Sequence, residues 1–174
     1  MLQIFALTGL TVFLYMSVIY LIAQSVKNNS VVDIGWGLGF TLIILVLIFS
    51  SERIPPSLLI LSLMILTWGI RLSFYIYMRN LGKPEDFRYA NWRKEWGKRQ
   101  PWIAFYKIFM LQGILMWIIA HPIILTFFRH AELPGITGIT GIFIFILGLL
   151  IEGISDKQMR NFKSNPANKG KIII

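Results

Sequence analysis

The sequence predicts an all-α, polytopic membrane protein: a helix bundle of about five transmembrane helices with an interfacial amphipathic segment. Hydrophobic residues make up 56% of its 174 residues, charged residues make up only 14%, and the mean hydropathy is +0.66. A soluble domain carries about 25% charged residues, so this composition excludes a water-soluble enzyme and a disordered tail. The chain has no cysteine, which excludes thiolate catalysis and a disulfide scaffold.

Five apolar stretches define the predicted spans. They cover residues 1–23, 31–50, 57–78, 102–128 and 136–152. Each approaches the roughly 20 residues that a helix needs to cross the hydrocarbon core of a bilayer. Because lipid offers the backbone no hydrogen-bond partner, such stretches are expected to be helical. Pro122 lies inside the fourth stretch and predicts a kink or an early end there. We expect a single transmembrane domain over residues 1–174.

Basic residues are concentrated in two of the segments outside these spans. The loop 79–101 holds seven of the 17 Lys and Arg residues, and the tail 153–174 holds five. The positive-inside rule therefore predicts a cytoplasmic loop and C-terminus, with the N-terminus outside. The formal net charge of +9 then indicates cytoplasmic loops that face anionic headgroups, and no nucleic-acid partner.

The basic loop also carries aromatic residues. Phe87, Tyr89, Trp92 and Trp96 are interleaved with its Lys and Arg residues. The spacing of Phe87, Trp92 and Trp96 gives a partial helical stripe, which favours an interfacial helix with aromatic rings at the headgroups and basic groups toward lipid phosphate. The alternative is that some of these cations bind the phosphate of a cofactor at the cytoplasmic face.

Ionisable residues inside the spans are the first functional candidates, because charge is costly in lipid. Asp33, Arg71, Glu152 and Asp156 all fall in the cytoplasmic half of the membrane in the predicted orientation. Opposite charges at similar depth predict a shared hydrated cavity. The alternative for Asp33 and Arg71 is an ion pair that only fixes helix register, and for the other two a solvated helix end.

Other polar and small residues in the spans allow narrower interpretations. Gln112 is expected near mid-depth in the fourth span, where it either hydrogen-bonds across helices or contacts a substrate. His121 is expected at a helix end, and no metal-ligand spacing is present. The glycines Gly35, Gly37 and Gly39 favour close helix packing, since no strand precedes them as a phosphate loop requires.

Several sequence blocks occur in an order typical of one family. They are NSVVDIGWGLGF (29–40), WGIRL (68–72), RNLGKPEDFRY (79–89), LQG (111–113), EGISD (152–156) and FKSNPANKG (162–170). In these blocks the chain resembles a bacterial membrane-protein family, largely of unknown function, that is related to the steroid 5-alpha-reductase C-terminal domain. The resemblance runs from about residue 28 to residue 171 and favours a bacterial inner-membrane location.

This resemblance implies a helical fold that holds NADPH in a cytoplasm-facing cavity and reduces an activated carbon–carbon double bond of a lipid-soluble substrate. It places Asp33 near a substrate-polarising Glu of the reductases, so Asp33 is the expected catalytic residue. In its protonated form this side chain could donate a hydrogen bond to a carbonyl group. Gln112 is the expected substrate contact. The expected cofactor contacts are Arg71, Arg79, Glu152, Asp156 and Lys163, where Glu152 replaces an Asn of the reductases.

At the C-terminus this sequence differs from the family that it resembles. Relatives continue into a Gly-Leu-Trp-x-Tyr-Ser-Arg-His-Pro-Asn-Tyr motif that contributes to the cofactor site, whereas this sequence ends at Ile174. We therefore expect a truncated member with an incomplete, inactive site as one outcome. Two alternatives to a reductase stay open: a relative of the isoprenylcysteine-type membrane methyltransferases, using S-adenosylmethionine, and a non-catalytic helix bundle.

Overall fold

The computed structural model describes residues 1–128, 135–168 and 170–172, and in these ranges the regular structure is entirely helical. Backbone contacts divide the chain into two compact units, and the single transmembrane domain expected from the sequence stays a prediction. The first unit is Met1–Glu132 and the second is Leu133–Ile174.

The first unit contains three long helices followed by an extended helical path. The long helices are α1 (Leu2–Ser25), α2 (Val31–Phe49) and α3 (Pro56–Asn80). The path consists of α4 (Phe87–Trp96), a 3₁₀ turn (Gly97–Arg99), α5 (Gln100–Ala104), a π-helical segment (Phe105–Met110) and α6 (Leu111–Ile119). A short helix, α7 (His121–Phe127), follows it.

The second unit is built on one helix. This helix, α8 (Ile136–Ser164), has 29 residues, and a 3₁₀ turn (Pro166–Asn168) follows it. At about 1.5 Å per residue, α8 is longer than the hydrocarbon core of a bilayer is thick. Its first part contains the predicted fifth span, and the predicted tail from residue 153 begins as a continuation of the same helix.

Five helical segments in the described residues are long and apolar enough to cross a membrane. They are Leu2–Ser25, Val31–Phe49, Pro56–Asn80, Phe87–Ile119 and Ile136–Ser164. Many of their large apolar side chains are exposed on the protein surface, as expected where the surrounding solvent is lipid. The chain is therefore an all-α integral membrane protein, which confirms the predicted fold class.

The fourth membrane segment has different bounds from the predicted stretch 102–128. Its helical backbone begins at Phe87, because the Asp86 side chain accepts a hydrogen bond from the backbone N–H of Arg88 and so caps α4. The path ends at Ile119, and Pro122 lies in the first turn of α7, where its missing N–H leaves no helical hydrogen bond unmade. The helix predicted in the basic loop is α4.

Close packing around α2 organises the first unit. A Cβ atom on Gly37 would lie 2.0 Å from the carbonyl oxygen of Gly69 in α3, and one on Gly39 would lie 2.3 Å from the sulfur of Met116. A Cβ atom on Gly35 would lie 3.1 Å from the Tyr15 hydroxyl in α1. The interpretation of these three glycines as helix-packing positions is confirmed. At Gly37 the obstacle is backbone and leaves no room for a side chain, and at Gly35 and Gly39 a Cβ atom would crowd side chains of neighbouring helices.

Candidate functional site

Asp33, the expected catalytic residue, is directed toward protein groups. It lies in the first turn of α2, where a carboxylate is favoured by the helix dipole. Its Oδ1 atom accepts a hydrogen bond of 2.6 Å from the Tyr89 hydroxyl, and its side chain is only 20% exposed. Tyr89 itself is 3% exposed. A carboxyl group and a phenol therefore share one short hydrogen bond in a largely enclosed place.

Basic groups flank this pair. Arg88 places Nη2 at 3.4 Å from Asp33 Oδ2 and Nε at 3.0 Å from Asp86 Oδ1. The hydrogen bond from the Arg88 side chain holds the pKa of Asp86 below its usual value. Arg79, in the last turn of α3, lies close enough to Asp33 to act on it electrostatically. The site thus carries cations on the side where α3 ends and α4 begins.

The side-chain amide of Gln112 is a further polar group near the Tyr89 hydroxyl. Trp36, three residues after Asp33 in α2, donates its indole N–H to Gln112 Oε1 in α6. The Gln112 side chain is also a polar neighbour of the Tyr89 hydroxyl. The predicted hydrogen bond across helices is therefore present at Gln112. Its expected contact with a substrate stays a prediction.

A second carboxylate joins α4 to the turn between α1 and α2. Glu85 accepts hydrogen bonds from the backbone N–H of Asn29 at 2.6 Å and from two nitrogens of Arg93, both at 2.9 Å. In return, the backbone N–H of Asp86 donates to Ser30 Oγ at 2.8 Å. We call these four hydrogen bonds the helix-start clasp.

The remaining expected cofactor contacts of the first unit lie on α3. Arg71 is half-buried there, and Arg79 is exposed with its guanidinium carbon 5.9 Å from the centre of the Tyr75 ring. The structure thus brings Asp33 and Gln112 together around Tyr89 and sets Arg79 nearby. The role of these side chains toward a cofactor stays a prediction.

The expected cofactor contacts of the second unit all lie on α8. Glu152, Asp156 and Lys163 are spaced by four and seven residues, so helical geometry puts them on a single stripe. The common cavity predicted for Asp33, Arg71, Glu152 and Asp156 stays a prediction.

His121 lies at the end of a helix. His121 is the first residue of α7, and its Nδ1 lies 2.8 Å from the Trp117 carbonyl oxygen. This agrees with the expected position at a helix end. Within the described ranges, no three His, Asp or Glu side chains are grouped so that they could hold a metal ion.

Sequence reasoning missed the roles of Tyr89 and Glu85. It grouped Tyr89 with the aromatic rings expected at the headgroups, and this is wrong for Tyr89, which is buried against Asp33. Trp92 and Trp96 do stack on each other, with ring centres 5.7 Å apart. The sequence carried no signal for either role, since both depend on contacts between residues that are 56 positions apart.

Comparisons with known proteins identify a family. A family model described as "Protein of unknown function (DUF1295)" matches residues 19–174, which is most of the chain. No curated protein and no solved structure matches it. The chain, with its membrane-spanning helices and its Asp33–Tyr89 pair, therefore belongs to the DUF1295 family of proteins of unknown function.

Proposed function

We propose that this protein is an NADPH-dependent reductase of lipid-soluble enones. The observation that carries the proposal is the 2.6 Å hydrogen bond between Tyr89 and Asp33, enclosed within a membrane helix bundle. Reduction of an activated double bond needs a bound hydride donor and a group that polarises the substrate carbonyl. The resemblance to the steroid 5-alpha-reductase domain supports the same chemistry.

The Tyr89–Asp33 pair would act as the polarising acid. In the proposed reactive form Asp33 is protonated and the hydrogen bond of the pair is reversed: the carboxyl O–H donates to the Tyr89 oxygen, which frees the Tyr89 O–H to donate to the substrate carbonyl. The Tyr89 hydroxyl would thus lie where negative charge develops on the carbonyl oxygen during the reduction. The oxygen takes the Tyr89 proton, Tyr89 takes the Asp33 proton, and Asp33 is reprotonated from water at its exposed edge. The resulting enol then becomes the saturated ketone by proton transfer from oxygen to the α-carbon.

The side chains expected to contact the cofactor have the hydrogen-bonding groups that a dinucleotide requires. Arg71 and Arg79 would hold phosphate groups, because the guanidinium fork matches phosphate geometry. Glu152 and Asp156 would accept hydrogen bonds from ribose hydroxyls, and Lys163 would bind phosphate. The exposed guanidinium of Arg79 beside the Asp33 pair supports this assignment. When bound, NADPH supplies the hydride.

The first unit also carries an apolar groove, which Asp33 and Tyr89 do not line. An open groove of about 380 Å³ runs along α1 and α6, and its lining residues are almost all apolar. Gly113, which follows Gln112, forms part of this groove. A molecule that partitions into lipid would reach the bundle from the membrane. In the proposed orientation the N-terminus is outside, the C-terminus is cytoplasmic, and the membrane is a bacterial inner membrane.

The experiment uses the full chain, purified in detergent. NADPH binding is followed by its fluorescence, and NADPH consumption is measured with a panel of apolar enones. Tyr89→Phe should lower kcat by about 10²–10⁴-fold without changing the Kd for NADPH, because the hydroxyl contacts substrate and not cofactor. Tyr106→Phe is the matched control, since Tyr106 is 61% exposed, and it should leave both quantities unchanged.

Other outcomes would contradict a reductase or favour a different function. Absence of NADPH binding by the folded protein would overturn a reductase. Thermal stabilisation by S-adenosylmethionine but not by NADPH would favour a methyltransferase. If neither ligand binds and Asp33→Asn and Tyr89→Phe change no phenotype of the intact strain, the non-catalytic helix bundle is the better account.

A further inference from the structure

Three side-chain hydrogen bonds in the first unit share one separation in sequence. They join Asn29 to Glu85, Ser30 to Asp86 and Asp33 to Tyr89, and each pair is 56 residues apart. The segment 85–89 therefore lies beside the segment 29–33 in a fixed register. The first two of these bonds belong to the helix-start clasp, and the third is the proposed acid pair.

The clasp satisfies backbone groups at the beginnings of two helices. The first N–H groups of a helix, and those just before it, lack partners within the helix. Here the Asn29 N–H, just before α2, is bound by Glu85, and the Asp86 N–H, just before α4, is bound by Ser30 Oγ. Asn29 and Ser30 are buried, where an unpaired N–H would be costly. Each helix start thus depends on the other.

Glu85 is the central member of the clasp. Besides the Asn29 N–H, its carboxylate binds Nε and Nη2 of Arg93, two turns along α4. Its side chain is 11% exposed and that of Arg93 is 28% exposed, so water screens the ion pair only in part. One carboxylate therefore connects the turn between α1 and α2 to the body of α4.

We propose that Glu85 is a positioning residue that sets the register of α4 against α2 and so holds the Tyr89 hydroxyl on Asp33. Tyr89 follows Glu85 by four residues, which is about one helical turn. A slip of one residue would move Tyr89 by about 1.5 Å along the axis and turn it by about 100°, which would break its hydrogen bond. The catalytic consequence rests on the proposed reductase function, whereas the positioning itself does not.

The first test observes Tyr89 directly, without any substrate. The full chain is labelled with 3-fluorotyrosine, and the ¹⁹F resonance of Tyr89 is identified by its loss in Tyr89→Phe. Glu85→Ala should shift or broaden this resonance and leave that of the exposed Tyr106 in place. Glu95→Gln, a change at an exposed residue of the same helix, is the matched control and should leave both resonances unchanged.

The second test measures activity. Glu85→Ala should lower kcat by about 10–100-fold, the cost of a small misplacement of a catalytic group, with little change in KM for enone or NADPH. In a Tyr89→Phe background the same change should cause no further loss, because Glu85 acts through the Tyr89 hydroxyl. Multiplicative losses in the double variant would overturn the positioning role.

The two tests separate the failure of this inference from that of the reductase proposal. If the chain reduces no enone but Glu85→Ala displaces the Tyr89 resonance, the clasp stands and the reaction is wrong. If the folded variant leaves that resonance unchanged, the inference is overturned whatever the reaction is. Should Glu85→Ala fail to fold, Glu85→Gln replaces it, since the amide oxygen still accepts the Asn29 N–H while the charge for Arg93 is lost.

Discussion

Gly37 and Gly69 meet where α2 crosses α3, at a distance that leaves no room for a side chain. A Cβ atom on Gly37 would lie 2.0 Å from the Gly69 carbonyl oxygen, and one on Gly69 would lie 2.5 Å from the Gly37 carbonyl oxygen. One turn along α3, Ser73 Oγ accepts a hydrogen bond of 3.1 Å from the Leu38 N–H. This contact fixes the spacing between the helix that carries Asp33 and the helix that carries Arg79.

Gly37→Ala should destabilise the protein, because the obstacle is backbone and not the end of a flexible side chain. We expect a loss of about 1–3 kcal/mol, as for overpacked cores, measured by thermal unfolding in detergent. Gly9→Ala is the control, since its Cβ atom would lie 3.4 Å from the Trp117 indole nitrogen, an ordinary contact distance. Equal stability of the two variants would show that α2 and α3 are not so closely packed.

Arg93→Lys should be nearly as disruptive as Arg93→Gln, although it keeps the charge. Arg93 binds Glu85 through two nitrogens, both at 2.9 Å, and an ammonium group cannot reproduce this fork. We expect each variant to lose about 1.5–3 kcal/mol of unfolding free energy, the range for hydrogen bonds to charged groups. Lys94→Gln, at the exposed neighbouring residue, should change little. A fully stable Arg93→Lys variant would contradict the bidentate geometry.

Protonation of Asp86 should make the folded protein less stable in acid. Its pKa is lowered in the folded protein by the hydrogen bond from Arg88, so its contribution is complete above its ordinary pKa and disappears as pH falls through the lowered one. Asp86→Asn keeps a capping side chain but cannot titrate. The difference in Tm between parent and variant should therefore shrink below about pH 4.

The same comparison in an Arg88→Gln background tests the cause of this effect. Without the Arg88 guanidinium, the Tm difference that Asp86→Asn produces should depend much less on pH. If the pH dependence persists unchanged, another group lowers the pKa of Asp86.

The two interpretations of Gln112 are a hydrogen bond across helices and a contact with substrate. A double-mutant cycle tests the first. Trp36→Phe and Gln112→Leu should couple in unfolding free energy by about 0.5–3 kcal/mol, because the indole N–H donates to Gln112 Oε1. A coupling near zero would contradict this hydrogen bond. If Gln112 also contacts substrate, Gln112→Leu should raise the KM for enone more than Trp36→Phe does, and equal KM values would favour the purely structural role.

Asp33 could be recognised from the sequence, but its partner could not. A carboxylate inside an apolar stretch is unusual enough to mark a functional candidate. Tyr89 carries no such mark, since an aromatic residue in a basic loop is equally typical of a membrane interface. Its role depends on a contact across 56 residues, and a helical pattern shows only which residues share a face.

For the residues expected to bind a cofactor, the sequence likewise gives the position of each along its helix but not their arrangement in space. The sequence places Arg71 in the third span and Arg79 directly after it, and it places Glu152, Asp156 and Lys163 in or after the fifth span. The helices α3 and α8 contain them. Their position along a helix follows from the length of each apolar stretch. Whether they converge on one ligand depends on how helices pack, which binding measurements on the full chain would test.

The number of membrane helices and their approximate limits follow from the amino-acid sequence alone, because a bilayer compels every long apolar stretch to satisfy its own backbone hydrogen bonds. The glycine contacts of α2 were also foreseeable, since small residues let helices approach closely in lipid. The pairing of Asp33 with Tyr89 and the helix-start clasp around Glu85 were decided only by tertiary structure. Both depend on the register between α2 and α4, and that register arises from contacts between distant residues that no local pattern records.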